Sequence, residues 1–467
     1  MAATKLHVMV VTFGAQGLIN PLLQFSKTLA AAGLLVTFAI TESGGRKMQD
    51  AKNLAINAGL LQFSFFSDEW GPHVGQSDFD AYLTHMASIG PASLASHIRT
   101  VEARGPPISC IIGEPFLPWV ADVAVEFRIP YALLWSQPYT VFLLYFRHYR
   151  SRNLLPSAGS IDATLTVDFP GLPGLRYGDL PTYLLPTNPL VIVHSTLSKT
   201  FSNLELCKWV FVNSFNDLEL EVIRSNQFQP SISMVGPLTR LPNDRESLGD
   251  MWPTSNCLDW LGAQSPSSLV YISFGSYLQR SQAQMEEIAW ALRRSRRPFL
   301  WVVKKLEKGI SAELPEEFLV ETRGQGKVVN WAPQVEVLSH SSIGCFLTHC
   351  GWNSSLETIT SGVPVVAFPE LGDQVTNAML LEEVYKIGVR LSRGKDGVVG
   401  REEVERRVEE VLSEPRRSEL KKNALRWREA ARRAISDGGS SLLNIKKFVD
   451  ELAMLNAENS GVVSATS

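Results

Sequence analysis

A histidine, a glycine and a run of small polar residues, His349-Cys350-Gly351-Trp352-Asn353-Ser354-Ser355, sit between an apolar run (Ile343 to Thr348, IGCFLT) and a segment of helical character that reaches about Ser361. Residues of these types in this order can hold a diphosphate. The first turn of a helix offers unpaired backbone N–H groups and the positive end of the macrodipole. His349 can donate to a phosphoryl oxygen, and Gly351 lets the main chain come close. Gly362 then stops the helix, and Val363 to Phe368 reads as a further buried strand. Strand, tight turn, helix and strand are the repeating parts of a parallel sheet, whose carboxyl ends carry ligands. A second reading applies to two of these residues, because Ser354-x-x-Glu357 has the spacing of a capping box.

The rest of the chain supplies more of the same units. His7 to Phe13 reads as a strand, Gly14 to Gly17 as its turn, and Asn20 as an N-cap ahead of Pro21. Leu22 to Ala32 follows as a helix closed by Gly33, and Leu34 to Ile40 as the next strand. Further strands are expected at Ile108 to Ile112, Tyr131 to Trp135 and Val210 to Asn213. Helices are expected over Phe116 to Phe127 and Asp217 to Ser225. Ser151 to about Pro186, rich in Pro, Gly and Leu, reads as irregular surface chain, and Pro242 to Gly249 as a linker. The pattern then restarts: Leu269 to Phe274, the turn Gly275-Ser276, a helix over Ser281 to Arg293, and strands at Phe299 to Val303 and Lys327 to Asn330. The fold class is therefore α/β, two doubly wound Rossmann-like domains over 1–240 and 251–440, joined by 241–250. Residues 441–467 form a last helix and a tail, expected to return to the first domain and to fray after Ala457. The charged stretches 401–413 and 419–435 are expected helices with solvated faces.

Bulk properties narrow the partners. A chain of 467 residues exceeds one ordinary core, which agrees with two domains. A formal charge of −3 gives no basic footprint for nucleic acid. The five cysteines (110, 207, 257, 345 and 350) lack metal-type spacing, and their odd number suits a reducing compartment. No signal peptide and no apolar run long enough to span a bilayer is legible. The expectation is a soluble cytoplasmic monomer without a metal.

Three segments carry a specific resemblance: WAPQ (331–334), THCGWNSSLE (348–357) and GDQ (372–374). Together they resemble the signature box of plant UDP-sugar-dependent glycosyltransferases of small molecules, family 1, at its full expected length. A looser similarity runs to about residue 450. The resemblance implies a GT-B fold with a cleft between the domains, UDP-glucose as donor substrate, a small aromatic acceptor, and no cofactor. It implies that Trp331 stacks on uracil while Ala332 and Gln334 read the base edge. It places the ribose hydroxyls on Glu357, with helix capping alone as the competing reading. It gives the pyrophosphate to His349, Gly351, Trp352, Asn353 and Ser354, with Ser276 as a further contact. Asp373 and Gln374, with Glu370 beside them, would meet the sugar, and Gln374 suggests glucose rather than galactose. Leu371 stands where related sequences often carry Trp.

At the catalytic end the sequence departs from that pattern. Family members read GxxGHxNP, with His as the general base, and an Asp in the first domain orients it. Here Leu18 stands in the position of the base and Glu114 in that of the acid. Leucine accepts no proton, and a general base typically supplies about 10²–10⁴-fold. Three readings follow. The acceptor is acidic and already ionised, giving a glucose ester or phenolic glucoside. Or an electron-rich polyhydroxylated acyl-phenol is C-glucosylated through its own phenolate. Or another group replaces the base: Glu114, with His73 and His85 as remoter candidates. A non-catalytic or hydrolytic UDP-sugar-binding protein is the alternative from another class. GLLVTFAITE and PWVADVAVEF resemble the branch containing glucose-ester formers, which favours acidic acceptors. Leu18, Phe116, Trp119, Gln137, Phe142 and Tyr145 are candidate acceptor-pocket residues, with core packing as the competing reading for each.

Overall fold

The computed structural model describes residues 5–50, 59–70, 79–151, 162–172, 174–185, 188, 190–226, 232–240, 257–275, 280–303 and 313–459. The expected linker 242–249, the turn residue Ser276, His73 and the tail beyond 459 lie outside the described residues. The described chain divides into two compact units, one holding the residues up to Thr239 with those from Arg433 onward, the other holding Arg240 and 257–432.

The first unit is built on a parallel sheet of seven strands: β1 (His7–Thr12), β2 (Leu35–Thr41), β3 (Leu61–Phe66), β4 (Cys110–Gly113), β5 (Tyr131–Trp135), β6 (Cys207–Val212) and β7 (Ile232–Met234). Their order across the sheet is β3-β2-β1-β4-β5-β6-β7, so the winding reverses between β1 and β4. Every residue of β1, β4 and β5 is buried, which a parallel sheet covered on both faces requires. The helices are α1 (Gln16–Ala31), α2 (Glu42–Asp50), α3 (Phe79–Glu102), α4 (Trp119–Glu126), α5 (Tyr139–Phe146), α6 (Val191–Ser202) and α7 (Leu220–Ser225).

α1 starts earlier than its sequence suggests. Its N-cap is Ala15, not Asn20, and Pro21 lies inside the helix. The carbonyl of Ala15 already accepts the N–H groups of Leu18 and Ile19, at 2.9 and 3.0 Å. The first turn is thus closed before the proline, whose fixed φ suits a helix. β3 and the 24-residue α3 were not legible as elements, α3 because it contains Gly90-Pro91. Gly90 is there for space: a Cβ on it would lie 2.3 Å from the indole of Trp119.

The second unit repeats the plan with β8 (Leu269–Ser273), β9 (Phe299–Val302), β10 (Gly326–Val329), β11 (Ile343–Thr348), β12 (Val365–Ala367) and β13 (Gly388–Arg390). All pairings are parallel, in the order β10-β9-β8-β11-β12-β13, and the winding reverses between β8 and β11. Its helices are α8 (Leu258–Gly262), α9 (Gln282–Ser295), α10 (Glu316–Glu321), α11 (Gln334–Ser339), α12 (Trp352–Ser361), α13 (Gln374–Met379), α14 (Arg401–Leu412) and α15 (Arg416–Ala434). The period-two alternation along β8 divides the interior in two. Val270 and Ile272 face Met285, Ile288 and Leu292 of α9 and Val404 and Val408 of α14. Leu269 and Tyr271 face Leu261 of α8 and Val337 and Leu338 of α11.

The last helix, α16 (Ser440–Asn459), belongs to the first unit. Phe448 packs edge-on against Trp209 and Phe211 at 5.0 and 4.9 Å, and the Trp209 Nε1–H donates to Glu451 Oε2 at 2.7 Å. The change of unit falls at Arg433, near the end of α15, rather than at 440.

Candidate active site

In the second unit the sheet reverses between β8 and β11, so the crevice beyond their carboxyl ends is where a ligand belongs. Gly275 follows β8 and His349 follows β11, and the two meet. A Cβ on Gly275 would lie 2.7 Å from His349 Nε2, and one on Gly351 would lie 2.5 Å from the same nitrogen. The imidazole edge therefore occupies a slot between two glycine main chains, and Gly275 also has φ +76°. His349 Nδ1 is buried without a hydrogen-bond partner. Burial, aided by the charge of Arg280, pushes the ring pKa down to about 3. The imidazole is neutral at physiological pH and keeps one N–H to donate.

Cys350 next to it has φ 63°, a conformation that a side chain rarely adopts. Surrounding bonds hold it there: its N–H donates to Thr348 Oγ1 at 3.3 Å, and its carbonyl accepts from Asn377 Nδ2 at 2.9 Å. The bend delivers the chain into α12, whose N-cap is Gly351. Ser354 is thus already inside the first turn, and the capping box expected from Ser354 and Glu357 does not form. Glu357 lies in the second turn, away from that N-cap. Its Oε2 accepts instead from Gln334 Nε2 at 2.7 Å, and the same amide donates to Ser354 Oγ at 2.8 Å. Gln334 Oε1 accepts from the Tyr271 hydroxyl at 3.3 Å. Gln334 thus links Tyr271, Ser354 and Glu357. Trp331 is half-buried beside Ala332, which is 6 % exposed. The Trp352 side chain, at 4 % exposure, belongs to the interior, so this residue brings only main chain to the helix start.

Asp373 and Gln374 lie at the start of α13. Gln374 Oε1 accepts the backbone N–H groups of Glu370 and Leu371, at 3.1 and 3.2 Å. Two main-chain donors on one oxygen fix the orientation of the amide, and its NH₂ group is left to donate outward. Asp373 Oδ2 accepts from Asn377 Nδ2 at 2.6 Å, while burial pushes the carboxyl up to about 6. At neutral pH it is mostly an acceptor. A donor amide beside an acceptor carboxylate is the pairing that sugar hydroxyls satisfy. Sequence reasoning missed Arg280, which is paired with Glu370 at 2.9 Å.

Among the first unit's candidates, the structure separates core from surface. Phe142 and Tyr145 are fully buried and pack edge-on against Trp135, at 5.5 and 5.8 Å. Trp119 fills the space over Gly90. These three pack in the interior of the first unit, the competing reading given for each, because the sheet needs large apolar side chains on its covered face. Phe116 is half-buried, edge-on to Phe79 at 5.7 Å. Gln137 is half-buried with Oε1 covered and unpartnered. Leu18, on α1 just beyond β1, is 7 % exposed. His85 donates its Nε2–H to the Asp68 carbonyl oxygen, 2.7 Å away, and its ring lies 5.2 Å from Trp70.

Glu114 is the main correction. It is 0 % exposed; one oxygen accepts the Phe116 N–H at 2.8 Å and the other has no partner. Burial pushes it up to about 8, so at neutral pH it is mostly a protonated acid, sealed from any acceptor. It cannot serve as the replacement base in this conformation. Between its unfolded value and about 8 the folded state holds more protons, so stability falls as pH rises through that window. Glu114→Gln is expected to remove this fall, on the order of 1.4 kcal/mol per pH unit, and to raise the melting temperature most above pH 8. Thermal unfolding of both proteins between pH 5 and 9 reads it; parallel curves would contradict it.

Residues 253–429 match the family described as UDP-glucoronosyl and UDP-glucosyl transferase. The chain is 41% identical over 458 residues to a gallate 1-beta-glucosyltransferase of Quercus robur, covering 96% of this chain and 89% of that protein. The chain belongs to the UDP-glycosyltransferase family. A cinnamate beta-D-glucosyltransferase of Fragaria ananassa is 40% identical over 98% of this chain and 85% of its own. Among solved structures, Os79 from O. sativa in complex with UDP superposes with a TM-score of 0.85 at 30% identity, over 96% of this chain and 100% of that one. The fold class is that of the GT-B glycosyltransferases, with two doubly wound parallel-sheet units. Among the described residues no helix is long and apolar enough to cross a membrane, and no three His, Cys, Asp or Glu side chains gather as a metal site.

Proposed function

We propose that this glycosyltransferase moves glucose from UDP-glucose to the ionised carboxylate of a small aromatic acid, giving a 1-O-acyl glucose ester and UDP. The observation that carries this reading is Leu18, an almost fully buried leucine in the first turn of α1, where the family resemblance puts the base. The relatives named for gallate and cinnamate support it.

The chemistry is consistent with an apolar residue there. A carboxylic acid with pKa near 4 is ionised at neutral pH, whereas a plain phenol near 10 is not. The carboxylate oxygen attacks C1 of the glucosyl group from the face opposite UDP, the C1–O bond to the β-phosphate breaks, and its electron pair leaves on UDP. No proton is removed, so no base is required. The protein's work is positioning and stabilisation of the departing diphosphate. In this reading the His349 N–H and the main-chain N–H groups at the α12 start receive the diphosphate, Glu357 the ribose, and Asp373 and Gln374 the glucose.

The test is product identity. With UDP-glucose and cinnamic or gallic acid, the product is expected to gain one hexose by mass and to release the free acid in mild alkali. An alkali-stable phenolic or C-linked glucoside as the main product would overturn the ester reading, as would UDP release with no glucoside formed.

A further inference from the structure

Arg280 is an unusual arginine. Its side chain is 3 % exposed, and the guanidinium carbon stands 3.5 Å from the ring centre of Phe274 and 5.2 Å from that of Phe368. Burial pulls its pKa down to about 10, so it remains charged. Nη2 donates to Glu370 Oε2 at 2.9 Å, and Nε is buried without a partner. Glu370 is itself held high by burial, against the opposing charges of Arg280 and Arg393. Arg393 reaches the same loop from its exposed side, donating to the Pro369 carbonyl at 3.0 Å and lying 5.1 Å from the Phe368 ring.

A buried ion pair contributes little net stability, because desolvation cancels most of the attraction. Its use must be sought in geometry. The Glu370 N–H, on the residue that Arg280 grips, is one of the two main-chain donors that orient the Gln374 amide. The order of contacts is therefore Arg280, Glu370 side chain, Glu370 and Leu371 main chain, Gln374 amide. Arg280 also stands just before Ser281, the N-cap of α9, and so ties the chain following β8 to the chain following β12.

We propose that Arg280 is a positioning residue for the sugar end of the donor site: by holding Glu370 it fixes the 370–374 loop and thereby aims the Gln374 amide at the hexose. This rests on UDP-glucose being the donor and does not depend on which acceptor is used. Breaking the pair should therefore weaken recognition of the glucosyl group while leaving recognition of UDP intact.

The experiment compares calorimetric affinities of the full-length protein for UDP and for UDP-glucose, without acceptor, in Arg280→Met, Arg280→Lys and Glu370→Gln. UDP affinity is expected to stay within about twofold of the parent while UDP-glucose affinity falls about tenfold in Arg280→Met, and less in Arg280→Lys, which keeps the charge but loses the fork. Discrimination between UDP-glucose and UDP-galactose is expected to narrow in the same order. Arg280→Lys and Glu370→Gln carry the test if the methionine variant does not fold. A uniform fall in both affinities, or a lower melting temperature with both affinities unchanged, would show that the pair is only structural and overturn the proposal. Because no acceptor is present, an incorrect ester assignment leaves this result readable. A parent that binds UDP but gains nothing from the glucosyl group would instead remove the donor reading itself.

Discussion

His349→Ala is expected to lower kcat by about 10²–10³-fold, the usual cost of removing one donor aimed at developing negative charge. The expectation rests on three features of the ring. It stands at the reversal point of the second sheet, its Nε2 edge is enclosed by Gly275 and Gly351, and burial keeps it neutral. A neutral imidazole donates through N–H without the solvation cost of a buried cation, and its bond strengthens as charge moves onto the leaving diphosphate. The loss should therefore appear in kcat more than in the KM for UDP-glucose. Gly351→Ala makes the complementary test. It retains the histidine, but the added Cβ would lie 2.5 Å from Nε2, so the ring must move. A loss comparable to that of His349→Ala is expected. Initial rates at saturating acceptor decide both; a His349→Ala enzyme with more than a third of parental kcat would remove the ring from the leaving-group role.

Leu18→His is expected to separate acceptors by their acidity. For a simple phenol the variant should gain up to about 10²–10⁴-fold in kcat/KM, the range of a well-placed general base. For an aromatic acid it should gain less than about threefold, since the nucleophile carries no proton to remove. The parental rate with the acid should be flat in pH above about 5 and fall below it as the carboxylate protonates. With the phenol, parental activity should instead climb toward pH 9. Equal stimulation of both acceptor types would mean that Leu18 does not mark a preference for ionised acceptors. No stimulation of either would mean that a histidine on this part of α1 does not reach the acceptor.

The doubly wound fold was largely legible in the sequence because parallel strands buried on both faces write themselves as short apolar runs, as in HVMVVTF, YALLW, LVYISF and IGCFLT. α12 was legible through a glycine at each end, Gly351 before it and Gly362 in the left-handed conformation after it. The donor-site segment was visible for the same reason: its residues are contiguous, so one helix start and one short loop hold most of them. Legibility failed where a local rule met a tertiary demand. Gly90-Pro91 hid α3, although that glycine is the space required by Trp119. Pro21 suggested a later start for α1 than the turn after β1 enforces. Ser354 and Glu357 had capping-box spacing, yet the left-handed Cys350 moved the helix start to Trp352 and released both side chains.

The sequence alone determined the two doubly wound units, the turn after Thr348 that opens into α12, and the leucine at position 18. All three follow from residue type and local spacing. Only the tertiary structure decided the protonation state of Glu114, the engagement of Gln334 with Glu357, the core role of Phe142 and Tyr145, and the Arg280–Glu370 pair. Each of these depends on which atoms from distant parts of the chain exclude water around a group. Desolvation and hydrogen-bond partners are properties of the packed environment and have no signature in spacing.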